Sequence, residues 1–388
     1  MRLSEAQNVR DLRTIAKQRL PDIAFDYIDG GVEDEKGLTH NRRAFDNIRI
    51  VPRYLIDISE RSLSTSFFGR DYDLPFGIAP TGLNNLAWPG ADLALARTAA
   101  KANAPFVLST ASTTSIEKIA AAIPEHAWFQ LYVPRDQPVR EDLLKRVEAS
   151  GAKGLMVTVD IPLASKRERD NRNRFTLPLR PNLAVMASCV AHPGWAMQIL
   201  RHGSPRFENL APYTDPKAGA QSLAGYVMEQ LSPSLSWETF DWVREAWKDK
   251  PLLIKGLMSA EDAELAHKHG ADGIVLSNHG ARQLDSAPSP IEVLPEVREA
   301  IGDRLVIALD SGVRRGSDIA KALALGADFV FVGRATLYGV AAAGQKGAEM
   351  ALDFLRDELD RCMGQIGCTS IDQLSDAELW VDVPHPAQ

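Results

Sequence analysis

The chain has 388 residues, 45% hydrophobic and 24% charged, the balance of a folded protein with a large core rather than of a disordered or fibrous one. Its formal net charge of -7 argues against sequence-independent nucleic-acid binding, and no run of 18 apolar residues offers a membrane span. The first twenty residues lack the apolar core of a signal peptide, and three cysteines (Cys189, Cys362, Cys368) give neither a disulfide framework nor zinc spacing, so a cytoplasmic protein without a metal is expected.

Residues 1–20 read as a helix stopped by Pro21, and residues 22–29 as a second short helix ended by Gly30 and Gly31. From residue 74 a rhythm begins. Buried-strand candidates fall at 74–79, 105–108, 128–133, 154–159, 252–255, 273–276, 305–309 and 329–332, eight in all. Amphipathic stretches such as 91–102, 115–122, 141–149, 260–269 and 317–325 separate most of them. Ser259 stands where it can cap a helix start, and Gly151, Gly270 and Gly326 where left-handed residues end helices. Short continuous apolar strands alternating with helices mean a parallel sheet buried on both faces. Eight such units close into a barrel or open into a doubly wound sheet. The first strand–helix turn, Ala79-Pro80-Thr81-Gly82, lacks the glycine fingerprint of a dinucleotide fold. The expected architecture is therefore α/β: a (β/α)8 TIM barrel with N-terminal helices and a long insertion after strand four, one domain over residues 1–388.

The insertion, residues 161–250, is far longer than a simple connection and is expected to lie over the barrel mouth. Between Lys166 and Arg206 it holds eight Lys/Arg against two acids, Glu168 and Asp170, a local excess of +6. Within it, residues 183–200 are apolar with one tryptophan, and Pro193-Gly194 interrupts any continuous helix. A basic, tryptophan-bearing apolar segment suits a membrane interface, giving peripheral contact through 166–206; packing over the mouth or against another subunit is the plainer alternative. Residues 211–224 are polar with Gly and Pro, and are expected to be mobile.

A barrel enzyme carries its chemistry at the C-terminal ends of many strands. Thr81, Ser109, Gln130, Thr158, Asp160, Lys255, Ser277, His279, Asp310, Gly333 and Arg334 all fall at or just after strand ends. In the stretch from Ser277 to Asp285, His279 offers a base titrating near neutrality and Arg282 a fork for a carboxylate; a helical turn would face them the same way. Asp160 could orient His279, or merely cap a helix or a loop. Lys255, on an apolar strand, must be paired or functional, either as a Schiff-base amine or as a positive charge beside a cofactor. Asp310-Ser311-Gly312-Val313-Arg314 and Gly333-Arg334 combine glycine and arginine as phosphate loops do, for a substrate phosphate or for FMN. Arg167, amid a charge run, reads by default as a solvated side chain.

Several segments together carry a resemblance: Ile78-Ala79-Pro80-Thr81-Gly82, Trp128-Phe129-Gln130-Leu131-Tyr132, Thr158-Val159-Asp160, Lys255-Gly256, Ser277 through Asp285, and Asp310 through Gly316. From about residue 27 to about residue 367 the sequence resembles the FMN-dependent (S)-2-hydroxy acid dehydrogenase/oxidase family. The resemblance implies FMN held around Pro80, Thr81 and Gly82 and by Ser109, Gln130 and Thr158, with Lys255 and Ser277 at the ring or ribityl chain. Asp310, Ser311, Gly312, Val313, Arg314, Gly333 and Arg334 would secure ribityl and phosphate. It also implies a substrate carboxylate on Arg282 and Arg167, Tyr27 and Tyr132 bonding carboxylate or hydroxyl, and His279 as base with Asp160 behind it.

Ala111 stands where the short-chain oxidases carry tryptophan, and Gly82 where many carry alanine, so a larger (S)-2-hydroxy acid such as mandelate is expected, with L-lactate its competitor. The segment His192-Pro193 with Trp195 is similar to the membrane-associated branch, which suggests a quinone acceptor at the inner face of a membrane; a soluble oxidase would instead use oxygen and release hydrogen peroxide. The family also implies a homo-oligomer, commonly a tetramer. Another FMN- or phosphate-binding barrel, such as an isomerase, would share the phosphate loops without the His279/Arg282 pair, and a non-catalytic barrel scaffold would lack the flavin.

Overall fold

The eight apolar runs form one closed parallel barrel: β1 (Phe76–Ile78), β2 (Phe106–Ser109), β3 (Ala127–Leu131), β4 (Leu155–Thr158), β5 (Leu252–Leu257), β6 (Gly273–Leu276), β7 (Val306–Leu309) and β8 (Phe329–Val332). Strands adjacent in sequence are adjacent in space, and β8 closes on β1 by pairing Val330 with Phe76 and Val332 with Ile78. The computed structural model describes residues 1–176, 183–213 and 235–382, with the backbone alone for 183–185.

Every residue of β2, β3, β4, β6 and β8 is buried, because one side of each strand faces the outer helices and the other the barrel interior. The interior forms its own apolar cluster, built on Val107, Trp128, Met156, Leu253, Val275, Ala308, Phe329 and Phe331. Its floor is closed by a hairpin, Thr65–Phe67 paired with Arg70–Tyr72, whose Phe67 stacks on Phe329 at 4.2 Å. No local sequence pattern marks this plug. Two residues further along each inward face stand Ser109, Gln130, Thr158, Lys255, Ser277 and Asp310, all buried. The period of two thus converts an apolar floor into a polar mouth.

The expected helices are present as Ala91–Lys101, Ile116–Ala122, Gln137–Ala149, Ala260–Lys268 and Gly316–Ala324. Ser259 Oγ accepts the Asp262 N–H at 3.1 Å, and Gly151, Gly270 and Gly326 have φ of 79°, 78° and 103°. Residues 1–20 resolve into a 3-10 turn, Leu3–Glu5, and the helix Val9–Arg19, whose Asn8 caps Asp11 N–H at 3.1 Å. Asp22–Asp29 is helical as expected, and a further helix, Lys36–Asp46, follows it. Lys255 does not end its strand: β5 runs on to Leu257 past an irregularity at Gly256, where φ is 112°.

In the insertion, the chain breaks at His192 and Pro193 into two helices, Leu183–Ala191 and Pro193–His202. Trp195 faces inward, is 2% exposed, and donates its indole N–H to the Leu86 carbonyl at 2.7 Å. The tryptophan therefore anchors the segment to the barrel rather than to an outside surface. Arg19 bonds Gln198 Oε1 at 2.7 Å beside it. Val190, Leu200, Met186 and Met197 face outward and exposed. Of the stretch expected to be mobile, Ala211–Tyr213 forms a 3-10 turn and the rest lies outside the described residues. No helix among the described residues is long and apolar enough to cross a membrane.

Candidate active site

After β6 the chain turns through three left-handed residues, His279 (φ 56°), Gly280 (64°) and Ala281 (57°). The right-handed helical turn that would face His279 and Arg282 the same way does not form here. Two of the three carry a Cβ, so each costs about 1–2 kcal/mol in isolation and must be held from outside. Asn278 and Asn41 exchange reciprocal amide bonds at 2.9 and 2.7 Å, and Ser311 Oγ accepts the Gly280 N–H at 2.9 Å. Arg334 donates to the Gly280 carbonyl at 2.8 Å. Asp285 accepts the backbone N–H groups of Lys36 and Gly37 at 3.2 and 2.8 Å, docking the Lys36–Asp46 helix onto the turn.

The turn aims His279 at Asp160, with Nδ1 to Oδ1 at 2.9 Å and both side chains largely buried. Burial pushes the imidazole below its ordinary value of 6.5 although Asp160 opposes it, so His279 is neutral and able to take a proton. Burial works against the Asp160 carboxylate too, but His279 and Lys255 outweigh it and the group stays ionised. Gly256 makes room for this carboxylate: a Cβ there would stand 2.6 Å from Asp160 Cβ.

Lys255 Nζ donates to Ser277 Oγ at 2.7 Å and pairs with Asp310 Oδ2 at 3.1 Å, while Ser277 donates to Asp310 Oδ1 at 2.6 Å. Burial penalises the ammonium, yet Asp310 and Asp160 hold its pKa above the ordinary lysine value. A lysine so held is a fixed positive charge, not a Schiff-base amine.

Arg282 donates to the carbonyls of Tyr27 and Gly30 at 2.8 and 3.0 Å, and its guanidinium lies 5.3 Å from the Tyr27 ring. Burial, with Arg167 and Arg334 nearby, pushes it down to about 9 against the opposing charge of Asp170, which leaves it charged at neutrality. Arg167 is not a solvated side chain: its Nε is buried without a hydrogen-bond partner among the described residues. Tyr132 is pushed upward by burial and by the charge of Asp160, so its hydroxyl keeps its proton. The helix carrying Tyr27 is clamped through Asp29, which Arg13 bonds at 2.6 and 2.8 Å, Tyr338 at 2.7 Å and Arg169 at 3.1 Å. Burial opposes that carboxylate, but these partners hold it down at about 2. Every residue singled out for the site lines one cavity of about 720 Å³, except Asp160 and Ser277, which stand one layer behind His279 and Lys255.

Comparison with known proteins agrees with this geometry. A protein-family model described as FMN-dependent dehydrogenase matches residues 16–381. The chain is 45% identical to the (S)-mandelate dehydrogenase of Pseudomonas putida over 95% of its own length and 92% of that protein's. The chain belongs to the FMN-dependent 2-hydroxy acid dehydrogenase/oxidase family. Glycolate oxidase 1 of Zea mays is 41% identical, covering 96% of this chain and 95% of that one. A crystal structure of (S)-mandelate dehydrogenase, described as a monotopic membrane protein, superposes with a TM-score of 0.92 at 44% identity, covering 95% of this chain and 98% of that chain.

The mouth fits the FMN that the family uses. Gln130 Nε2 and Thr158 Oγ1 are buried in the cavity wall without a hydrogen-bond partner among the described residues, a donor and a hydroxyl suited to the polar edge of a flavin ring. Ser311 and Gly312, with φ of 73° and 86°, form a left-handed pair at the cavity, and a helix, kinked at Ala343 and Gly344, begins there at Arg334. Its Thr336 and Leu337 N–H groups bond the Gly333 carbonyl, and those of Arg334 and Ala335, without a partner among the described residues, suit a phosphate. The Arg334 side chain itself is committed to the carbonyls of Ile28, Gly280 and Gly30 at 2.9, 2.8 and 2.7 Å. Arg314 also borders the cavity, its guanidinium 5.7 Å from the Tyr338 ring.

Sequence reasoning missed Phe175, which stacks on Tyr27 at 5.1 Å, and Phe207, which lines the same cavity from the insertion. It also missed the Asp29 clamp, whose partners lie 16, 140 and 309 positions away. No local pattern marks such pairs; Gly256, by contrast, was visible as a glycine following a strand lysine.

Proposed function

We propose that this enzyme oxidises a bulky (S)-2-hydroxy acid, mandelate or a close analogue, to the 2-keto acid. The observation that carries the reading is His279, bonded to Asp160 at 2.9 Å, opening on the same cavity as Arg282 and Arg167, neither of which is ion-paired among the described residues. Arg282 and Arg167 would grip the substrate carboxylate, and Tyr27 and Tyr132 would bond the carboxylate or the hydroxyl. FMN, when bound, supplies the two-electron acceptor. His279 takes the hydroxyl proton if hydride leaves the α-carbon, or the α-proton if a carbanion forms; in both cases Asp160 stabilises the imidazolium. Protonated Lys255 offers positive charge beside the cofactor, with Gln130 and Thr158 as further polar partners.

Substrate size rests on Gly82 and Ala111, two small residues on the cavity wall, together with the aromatic faces of Phe175 and Phe207. L-lactate remains the competing substrate, since small residues permit a large side chain without requiring one. Anaerobic flavin bleaching tests both points. (S)-mandelate should reduce the enzyme with a higher kcat/KM than glycolate, and the reverse order would overturn the pocket argument.

For the acceptor, we propose a membrane quinone reached by peripheral docking. Supporting this, Met186, Val190, Met197 and Leu200 face outward from the two insertion helices, and Arg172, Arg174, Arg201 and Arg206 are exposed around them. A soluble oxidase is the second reading, separated by comparing reoxidation in air with reoxidation by a quinone analogue.

A further inference from the structure

Behind the pocket wall lies a carboxylate that neither the proton transfer nor the carboxylate grip uses. Asp92, in the first turn of the Ala91–Lys101 helix, is 0% exposed. Its Oδ1 accepts from Asn84 Nδ2 at 2.7 Å, and its Oδ2 accepts the Thr113 N–H at 2.9 Å and the Thr113 hydroxyl at 2.6 Å. Asn84 Nδ2 reaches on to Thr81 Oγ1 at 3.0 Å and the Thr81 carbonyl at 3.2 Å, while Thr113 Oγ1 accepts the Asn85 N–H at 3.2 Å. One side chain therefore ties the loop after β1, which carries Gly82, to the loop after β2, which carries Ala111.

On the cavity side the same loops touch directly. Leu83 N–H donates to the Ala111 carbonyl at 3.0 Å, and a Cβ on Gly82 would stand 3.1 Å from both Ala111 Cβ and Ala111 O. That spacing has no slack, so a shift of a few tenths of an ångström between the loops changes the wall there. Burial raises the Asp92 pKa against the three hydrogen bonds the side chain accepts, and burying so polar a group is costly unless the tie is needed.

We propose that Asp92 is a positioning residue for substrate size: it fixes the separation of Gly82 and Ala111, and with it the fit of a bulky 2-hydroxy acid, without touching substrate or cofactor. The inference rests on the reading that Gly82 and Ala111 border the substrate side chain. A phenyl group fills the space at that wall, whereas a methyl group leaves it empty.

The test compares FMN-loaded Asp92→Ala, Asp92→Asn and Thr113→Val with wild type, using kcat/KM for (S)-mandelate and for L-lactate and the visible flavin spectrum. In Asp92→Ala the mandelate-to-lactate ratio should fall about tenfold or more, the scale of a misfitted pocket, with lactate itself within about threefold of wild type. Asp92→Asn, which keeps one acceptor oxygen, should fall between. Thr113→Val keeps Asp92 and its bond from the Thr113 N–H but removes both hydroxyl bonds, to Asp92 and from the Asn85 N–H, and should move the ratio the same way; it decides alone if Asp92→Ala does not accumulate as holoenzyme. Parallel loss with both substrates, or a ratio within about twofold of wild type in every variant, overturns the proposal. A wild type that prefers lactate overturns the mandelate reading instead, while a ratio that still moves upholds the tie.

Discussion

His279, Asp160 and Lys255 belong to one half of the site, Tyr27, Arg167 and Phe175 to the other, and the two halves are held in different ways. The first three stand on or just after barrel strands, where backbone pairing and a close-packed interior fix them. The second three hang from an N-terminal helix and the insertion, joined to each other by Arg169, which reaches Asp29 at 3.1 Å and Asp26 at 3.4 Å and also bonds Glu35. On the proposed roles, the groups that would move protons sit on strands held by backbone pairing, and the groups that would grip and sort substrates sit on parts tied by side chains. Substitutions in the two halves should therefore fail differently, the first in turnover and the second in binding.

The largest break should come from His279→Gln. Flavin reduction should slow by about a thousandfold or more while FMN stays bound, because the base is lost and the cofactor contacts are not. Near-normal reduction in that variant would remove the base from this half.

A smaller effect is expected from Arg169→Ala. Freed of its tie, the Arg167 segment should bind substrate less well, raising KM by about five- to tenfold with kcat within about twofold. A fall in kcat with KM unchanged would erase the distinction between the halves. The same clamp has a pH signature. Asp29 is depressed to about 2 from an ordinary 3.8, so its stabilisation is complete above 3.8 and is lost as pH falls toward 2.

The least effect on chemistry is expected at the far edge of the insertion. The double variant Val190→Asp, Leu200→Asp should leave turnover with a soluble dye acceptor within about twofold, yet move the protein out of the membrane fraction. Retention in that fraction would show that this face is not what docks, and a wild type absent from it would point to a soluble enzyme.

The two halves also differ in how far the sequence revealed them. The barrel was legible because eight short continuous apolar runs alternating with helices leave few alternatives, and its polar mouth follows from counting two residues on from each interior side chain. The His279 turn was visible as a motif, but not its hand: nothing local announces that Ala281 will be left-handed until the Asn41 and Arg334 contacts are known. Lys255 was ambiguous until Asp310 was seen beside it. In the insertion, composition left Trp195 open between a membrane interface and packing on the barrel, because an apolar helix does not say which side an aromatic residue faces. The Asp29 clamp and the Phe67 plug depend on contacts across most of the chain and left no trace at all.

The most direct measurement of the central claim is the pH dependence of anaerobic flavin reduction at low substrate, in wild type and in Asp160→Asn. The base must be neutral to act, and burial lowers its pKa, so the wild-type rate should hold down through pH 6.5 and fall only below it. Asp160 opposes that lowering; its removal should slow the reaction and carry the acidic limb lower still. An acidic limb at or above 6.5 in wild type, or one that does not move in Asp160→Asn, would contradict the account.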